Sequence, residues 1–176
     1  MAILDSGDRT QYATGAVRDR RNLKGRCDLL PLDVVGMLFG GASYIPVWKM
    51  VFEKLDMFQE TGDEQHLVDA LLLECMFPTS EEMCLETSIH FREGAEKYAE
   101  NNWRKGIPVR DYIDSAVRHL LKWLRGDNDE PHDRAFCWNL MCAIWTCKHK
   151  PELNTYAKKV TSDDTICGEA AATAGE

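Results

Sequence analysis

Two pairs of acids stand at a spacing that could do chemistry: Glu93 with Glu96, and Glu130 with Asp133. On a helix, residues three apart share a face, so each pair would present two carboxylates side by side. Two antiparallel helices could bring the pairs opposite one another. Four such charges within a few ångströms repel strongly unless cations or water lie between them. Oxygen ligands of this kind suit Mg²⁺ or Mn²⁺, which retain waters and bind phosphates readily. The same spacing also occurs on any acidic helix that simply faces solvent, so the neighbouring residues matter. Asn101, Asn102, Trp103 and Lys105 follow the first pair, and Arg118, His119 and Lys122 lie between the two. An amide, an aromatic plane and several cations are what a nucleotide's sugar, base and phosphates call for. Taken alone, Trp103 also reads as a packing residue, and His119 reads equally as a phosphate contact or a structural histidine.

The elements that must position these residues read as helices. Leu32, Val35 and Leu38 give a short apolar stripe after Pro31, stopped by Gly40 and Gly41. Val47, Met50, Val51, Leu55 and Phe58 mark a second helix ending near Thr61 and Gly62, and a third runs from about Asp63 to Met76, closed by Pro78. Thr79 or Ser80 can cap a fourth, with acids filling its first turn. That helix carries Met83, Thr87, Phe91, Ala95 and Tyr98 on one side, while Glu82, Glu86, Glu93, Glu96 and Glu100 fall within an arc of roughly 80° on the other. A fifth starts near Asp111 and turns Ile113, Ala116, Val117, Leu120, Leu121 and Leu124 toward a core, with Gly126 as its C-terminal stop. The last, about Pro131 to Lys148, is apolar nearly all round, which places it centrally or at a subunit interface. No strand of any length competes. The expected organisation is an all-α bundle of five to six helices over residues 31–150, an irregular basic arm over 1–30 and a loose tail over 151–176.

At 176 residues the chain is about one domain in size. No apolar run approaches the roughly 18 residues that span a bilayer, and the first residues lack an export signal, so the expectation is a cytosolic protein with no membrane partner. A net charge of −8 disfavours a general nucleic-acid binder. It leaves room for a local basic pocket, and Arg18, Arg20, Arg21, Lys24 and Arg26 read either as a flexible arm or as a phosphate site. The seven cysteines include no C-x-x-C pair. Cys137, Cys142 and Cys147 each turn about 140° from the last on a helix and cannot meet at one metal, so they read as reduced, apolar residues.

The blocks TGAVRD, KGRCDLLPLDVV, HFREGAEKYAENNWRKGIPV, YIDSAVRHLLKWLRGDNDEPHDRAFCWNLMCAIWT and KPEL, spanning roughly residues 13 to 153, resemble the phage and prophage family named dATP/dGTP diphosphohydrolase, N-terminal domain. That family looks like a relative of the all-α MazG-type nucleoside triphosphate pyrophosphohydrolases, which bind Mg²⁺ through E-E-x-x-E and E-x-x-D and cleave between the α and β phosphates. The resemblance implies metal ligands at Glu93, Glu96, Glu130 and Asp133. This sequence departs from that pattern in having Arg92 before Glu93 and 33 residues between Glu96 and Glu130.

The expected activity is Mg²⁺-dependent conversion of a purine deoxynucleoside triphosphate to the monophosphate and pyrophosphate, with Mn²⁺ as a substitute. Glu93 or Glu96 would position the water. Lys97, Lys105, Arg118 and Lys122 would hold phosphates, with His119 as a further contact, and Asn102 with Trp103 would meet sugar or base. The alternative is a protein that sequesters the nucleotide in the same pocket without turning it over. At least a homodimer is expected, with Phe136, Trp138, Leu140, Met141 and Trp145 divided between core and interface.

Overall fold

The computed structural model describes residues 9–19, 25–39, 46–74 and 80–156. Six α-helices occur among them: α1 Leu32–Leu38, α2 Pro46–Thr61, α3 Gln65–Glu74, α4 Ser80–Tyr98, α5 Val109–Arg125 and α6 His132–His149. The all-α reading holds. Each boundary has a local cause where the sequence supplies one. Pro108, with φ fixed near the helical value, precedes α5, which therefore starts two residues before the expected Asp111. At the other end Gly126 adopts φ 85°. Its N–H bonds to the carbonyl of Trp123 at 2.9 Å, and the N–H of Asp127 bonds to that of Lys122 at 3.0 Å, the paired closure of a Schellman turn.

α6 is the central helix. It packs chiefly on α5, with α4 and α3 on its other sides, and Ala135, Phe136, Leu140, Cys142 and Ala143 are fully buried. α2 lies between α1 and α3 and adds Phe52, Leu55 and Phe58 to the same continuous core. The apolar circumference of α6 is thus covered within one chain. Trp138, Met141 and Trp145 are partly buried against that core, so a second copy is not needed to cover this helix. Among the described residues, the large apolar side chains that stay exposed lie elsewhere: Leu29 before α1, Val34, Met37 and Leu38 on α1, Met50 and Met57 on α2, Leu72 on α3 and Leu85 on α4.

Two sequence expectations need correction. The N-terminal arm is not irregular throughout, because strands β1 (Arg9–Gln11) and β2 (Val17–Asp19) form an antiparallel hairpin with Thr10 opposite Arg18. Three-residue strands are too short to show an alternating pattern, and this pair is held by contacts remote in sequence. Residues 151–156 are not loose: the Asn154 amide donates to the Gly62 carbonyl at 2.8 Å, and the Tyr156 ring meets Phe58 edge-on at 5.3 Å. The cysteines at 137, 142 and 147 are buried free thiols, as expected for apolar residues, and burial pushes the Cys147 thiol up to about 12. Arg20, Arg21, Lys24, Gly40, Gly41, Pro78, Thr79 and residues 157–176 lie outside the described residues. Among the described residues no helix is long and apolar enough to cross a membrane.

Candidate functional site

α4 and α5 both pack on α6, and between them lies a cavity of about 710 Å³ whose edge is formed by the hairpin. That volume is within the roughly 300–1,000 Å³ of small-molecule sites. His90, Phe91, Ala95 and Tyr98 line it from α4, Ser115, Arg118, His119 and Lys122 from α5, Trp138 and Asn139 from α6, and Val17, Arg18 and Asp19 from β2. Glu130, in the turn before α6, completes the wall on that side.

The stretch after α4 explains how the hairpin is held. Ala99 (φ 82°) and Asn101 (φ 55°) take left-handed backbone conformations that end the helix and redirect the chain. Asn102 is thereby turned inward and buried. Its amide acts as a third strand, accepting from the Val17 N–H at 3.0 Å and donating to the Val17 carbonyl at 2.8 Å. Asn102 therefore serves the backbone of β2. Trp103 lines the cavity as expected, packed between Phe91 at 5.4 Å and Trp145 at 5.1 Å with Arg104 over its ring. It combines the packing and wall roles. Lys97 pairs with Asp19 at 2.7 Å, and Lys105 is exposed and outside the cavity wall.

The cations on the wall differ in how their charge is balanced. Arg118 pairs with the buried Asp114 at 2.6 Å and donates to the Gly25 carbonyl at 2.8 Å. Lys122 pairs with Asp129 at 2.8 Å. Arg18 has no carboxylate partner among the described residues. One of its Nη atoms donates to Asn139 Oδ1 at 2.7 Å, its plane lies 5.3 Å from the Tyr112 ring, and its other terminal nitrogen is buried with no hydrogen-bond partner. His90 Nδ1 and Trp138 Nε1, also on the wall, are likewise buried and unpartnered. Buried polar atoms without partners are uncommon in folded proteins, and these three give the wall polar atoms that can bond to a polar ligand.

Burial shapes the titration here. It pushes His90 down to about 4, with Arg134 and Arg18 adding to the effect. His119 is held well below the ordinary histidine value by burial first and by His132 next. Burial alone would raise the Asp19 carboxyl, but hydrogen bonds from Lys97 and Tyr98 outweigh it and leave it lowered.

The four expected carboxylate ligands do not meet. Glu93, half-buried, receives two hydrogen bonds from Arg134, at 3.0 and 3.3 Å. Arg134 follows Asp133 in sequence and puts a cation where the second acidic pair was expected. Glu96 is exposed with Arg92 at 3.8 Å, and Asp133 is exposed. Glu130 alone of the four lines the cavity. An all-carboxylate Mg²⁺ site at these residues therefore does not fit this arrangement.

Sequence reasoning missed His90 and Asn139, gave Trp138 to the core or interface and not to the cavity wall, and left Arg18 open between a flexible arm and a phosphate site. The amphipathic period of α4 carried a signal for His90, which falls on the same side as Thr87 and Phe91.

No curated protein and no solved structure matches the chain. A family model spans residues 59–156, which hold α4, α5, α6 and most of the cavity wall but not the hairpin. The chain belongs to the family described as dATP/dGTP diphosphohydrolase, N-terminal.

Proposed function

We propose that this chain hydrolyses a purine deoxynucleoside triphosphate between its α and β phosphates in the cavity between α4 and α5. The observation that carries the reading is Arg18, a guanidinium on the wall of a nucleotide-sized cavity with a buried, unpartnered nitrogen and no carboxylate among the described residues to neutralise it. A phosphate oxygen satisfies such a donor well, because charge-assisted hydrogen bonds from Arg are among the strongest a protein makes. Arg118 and Lys122 stand on the same wall. Phe91, Trp103 and Trp138 supply apolar and aromatic surface for a base.

In the reaction, water attacks the α phosphorus, the bond to the α–β bridging oxygen breaks, and that oxygen leaves with pyrophosphate. Catalysis of phosphoryl transfer is mostly positioning and charge neutralisation, which are the tasks the cations of this wall can perform. Glu93 and Glu96 lie off the cavity wall, so Glu130 takes over the role of the carboxylate that orders the attacking water. A divalent ion, Mg²⁺ or Mn²⁺, remains part of the proposal as the partner of the triphosphate. Self-association also remains part of it, on the exposed apolar side chains of α1 and α2 in place of α6.

The test is to incubate the protein with each of the four deoxynucleoside triphosphates and Mg²⁺ or Mn²⁺, and to resolve the products. Monophosphate and pyrophosphate in equal amounts from dATP or dGTP are expected. Recovery of intact triphosphate in a stoichiometric complex would establish sequestration instead, and release of inorganic phosphate would place the cleavage elsewhere.

A further inference from the structure

Where α5 and α6 meet, His119, Glu130 and His132 bring three ligand atoms together. The Nδ1 atoms of the two histidines are 3.0 Å apart, and Glu130 Oε1 lies 3.6 Å from the first and 3.7 Å from the second. The point equidistant from three atoms at these spacings lies about 2.0 Å from each, the circumradius of that triangle and the usual length of a bond from a first-row metal to imidazole nitrogen or carboxylate oxygen. His132 is 2% exposed. Its other nitrogen, Nε2, is 2.8 Å from Asp129 Oδ1, and Asp129 is held in turn by Lys122 at 2.8 Å. A carboxylate on the far nitrogen fixes the tautomer and leaves Nδ1 as a bare lone pair, the outer-shell arrangement that accompanies metal-bound histidine.

We propose that His119, Glu130 and His132 form a binding site for one divalent first-row transition ion, of the Mn²⁺, Co²⁺ or Zn²⁺ class, at the edge of the cavity. Two imidazoles and one carboxylate favour such ions over Mg²⁺, which prefers oxygen ligands and retained water. His119 and Glu130 both line the cavity, so the open coordination positions face the space where a phosphate would lie. A second cluster, Asp127, Asp129 and His132, is a poorer site. Its carboxylates are already paired with Arg125 and Lys122, and it would need the His132 nitrogen that Asp129 occupies. The proposal shares Glu130 with the proposed reaction, but it concerns where an ion binds and not what is hydrolysed.

The test is direct ion binding by the full chain. Protein stripped of metal with a chelator is titrated with Co²⁺, followed by its ligand-field absorption, and the ion retained after gel filtration is counted. One Co²⁺ per chain is expected, resistant to excess Mg²⁺. Glu130→Gln, a partly exposed and nearly isosteric change, and His119→Gln should abolish the retained ion, while Glu96→Gln retains it. Asp129→Asn should weaken binding about 10- to 100-fold. Wild-type protein that retains no Co²⁺, binding unchanged in Glu130→Gln, or ready displacement by Mg²⁺ would each overturn the assignment. Turnover of triphosphates is scored separately: an ion bound without hydrolysis sinks the proposed reaction alone, and hydrolysis with no retained ion sinks the metal site alone.

Discussion

Replacing Arg18 with methionine separates a ligand-binding cation from a structural one. The change keeps most of the stem's apolar bulk and removes the guanidinium. The stability terms oppose one another. Lost are a charged hydrogen bond to Asn139 and the placement over Tyr112, together about 2 to 4 kcal/mol by ordinary magnitudes. Removed with them is the cost of a buried nitrogen without a partner, about 1 to 3 kcal/mol. Asn139 keeps its own bond to the Ala135 carbonyl at 2.7 Å and stays in place. The net change in folding is therefore small, about 1 kcal/mol, which for a chain of this size moves Tm by roughly 2 to 4 °C. Binding has no such cancellation. Loss of a charge-assisted bond to phosphate costs about 1.5 to 3 kcal/mol, so the Kd of a non-hydrolysable dATP or dGTP analogue should rise roughly 10- to 150-fold. Calorimetric titration of both proteins, beside their urea melts, measures the two quantities together. An unchanged Kd, or a large loss of stability with no change in Kd, would show that Arg18 belongs to the scaffold.

Three further outcomes are expected. Asn102→Ala leaves the half-buried N–H and carbonyl of Val17 without the amide that holds them, so stability should fall by about 2 kcal/mol, read as a lowered urea midpoint; a midpoint equal to wild type would mean that β2 needs no such clamp. His90 is depressed to about 4 in the folded protein, so the unfolded chain binds more protons between that value and its ordinary 6.5; this part of the stability is complete above pH 6.5 and falls by about 3 kcal/mol as pH drops toward 4. His90→Gln should flatten the urea-midpoint profile across that window. Nucleotide should quench tryptophan fluorescence through Trp103 and Trp138 on the wall, Trp103→Leu should weaken binding roughly 5- to 150-fold, and Trp123→Phe, whose ring packs on Trp48, should keep the quench.

What the sequence revealed was what local rules govern. Gly126 stopped α5 because a left-handed turn favours glycine, and the apolar circumference of α6 required cover on more than one side, which α3, α4 and α5 supply. What escaped depended on pairs distant along the chain. The hairpin is held by Asn102, 85 residues from Val17, and by the pair of Lys97 with Asp19, and these contacts bring Arg18 to the wall. The i, i+3 rule applied to Glu93 and Glu96, which both lie on α4, but not to Glu130, which precedes α6 and lines the cavity while Asp133 is exposed, and it could not say what stood opposite. Arg134 stands opposite Glu93, and one such cation is enough to turn a supposed ligand into half of an ion pair. The E-P-H sequence at 130–132 brings Glu130 and His132 beside His119. A short turn between antiparallel helices brings its residues back over the last turns of the helix before it, where His119 lies.

The net charge of −8 constrains how such a chain can bind a triphosphate at all. At physiological ionic strength charges are screened beyond about 8 Å, so the overall excess of acid neither attracts nor strongly repels the ligand once it reaches the cavity. Only the nearby groups decide. There, Arg118, Lys122 and Lys97 each already face a carboxylate, so each adds a donor but little net positive charge. Arg18 supplies one positive charge against a ligand carrying about four, and a guanidinium alone leaves most of that charge unneutralised. A divalent ion entering with the nucleotide or waiting beside it closes much of that gap, which is the electrostatic reason to look for an ion at the His119, Glu130 and His132 edge of the same cavity.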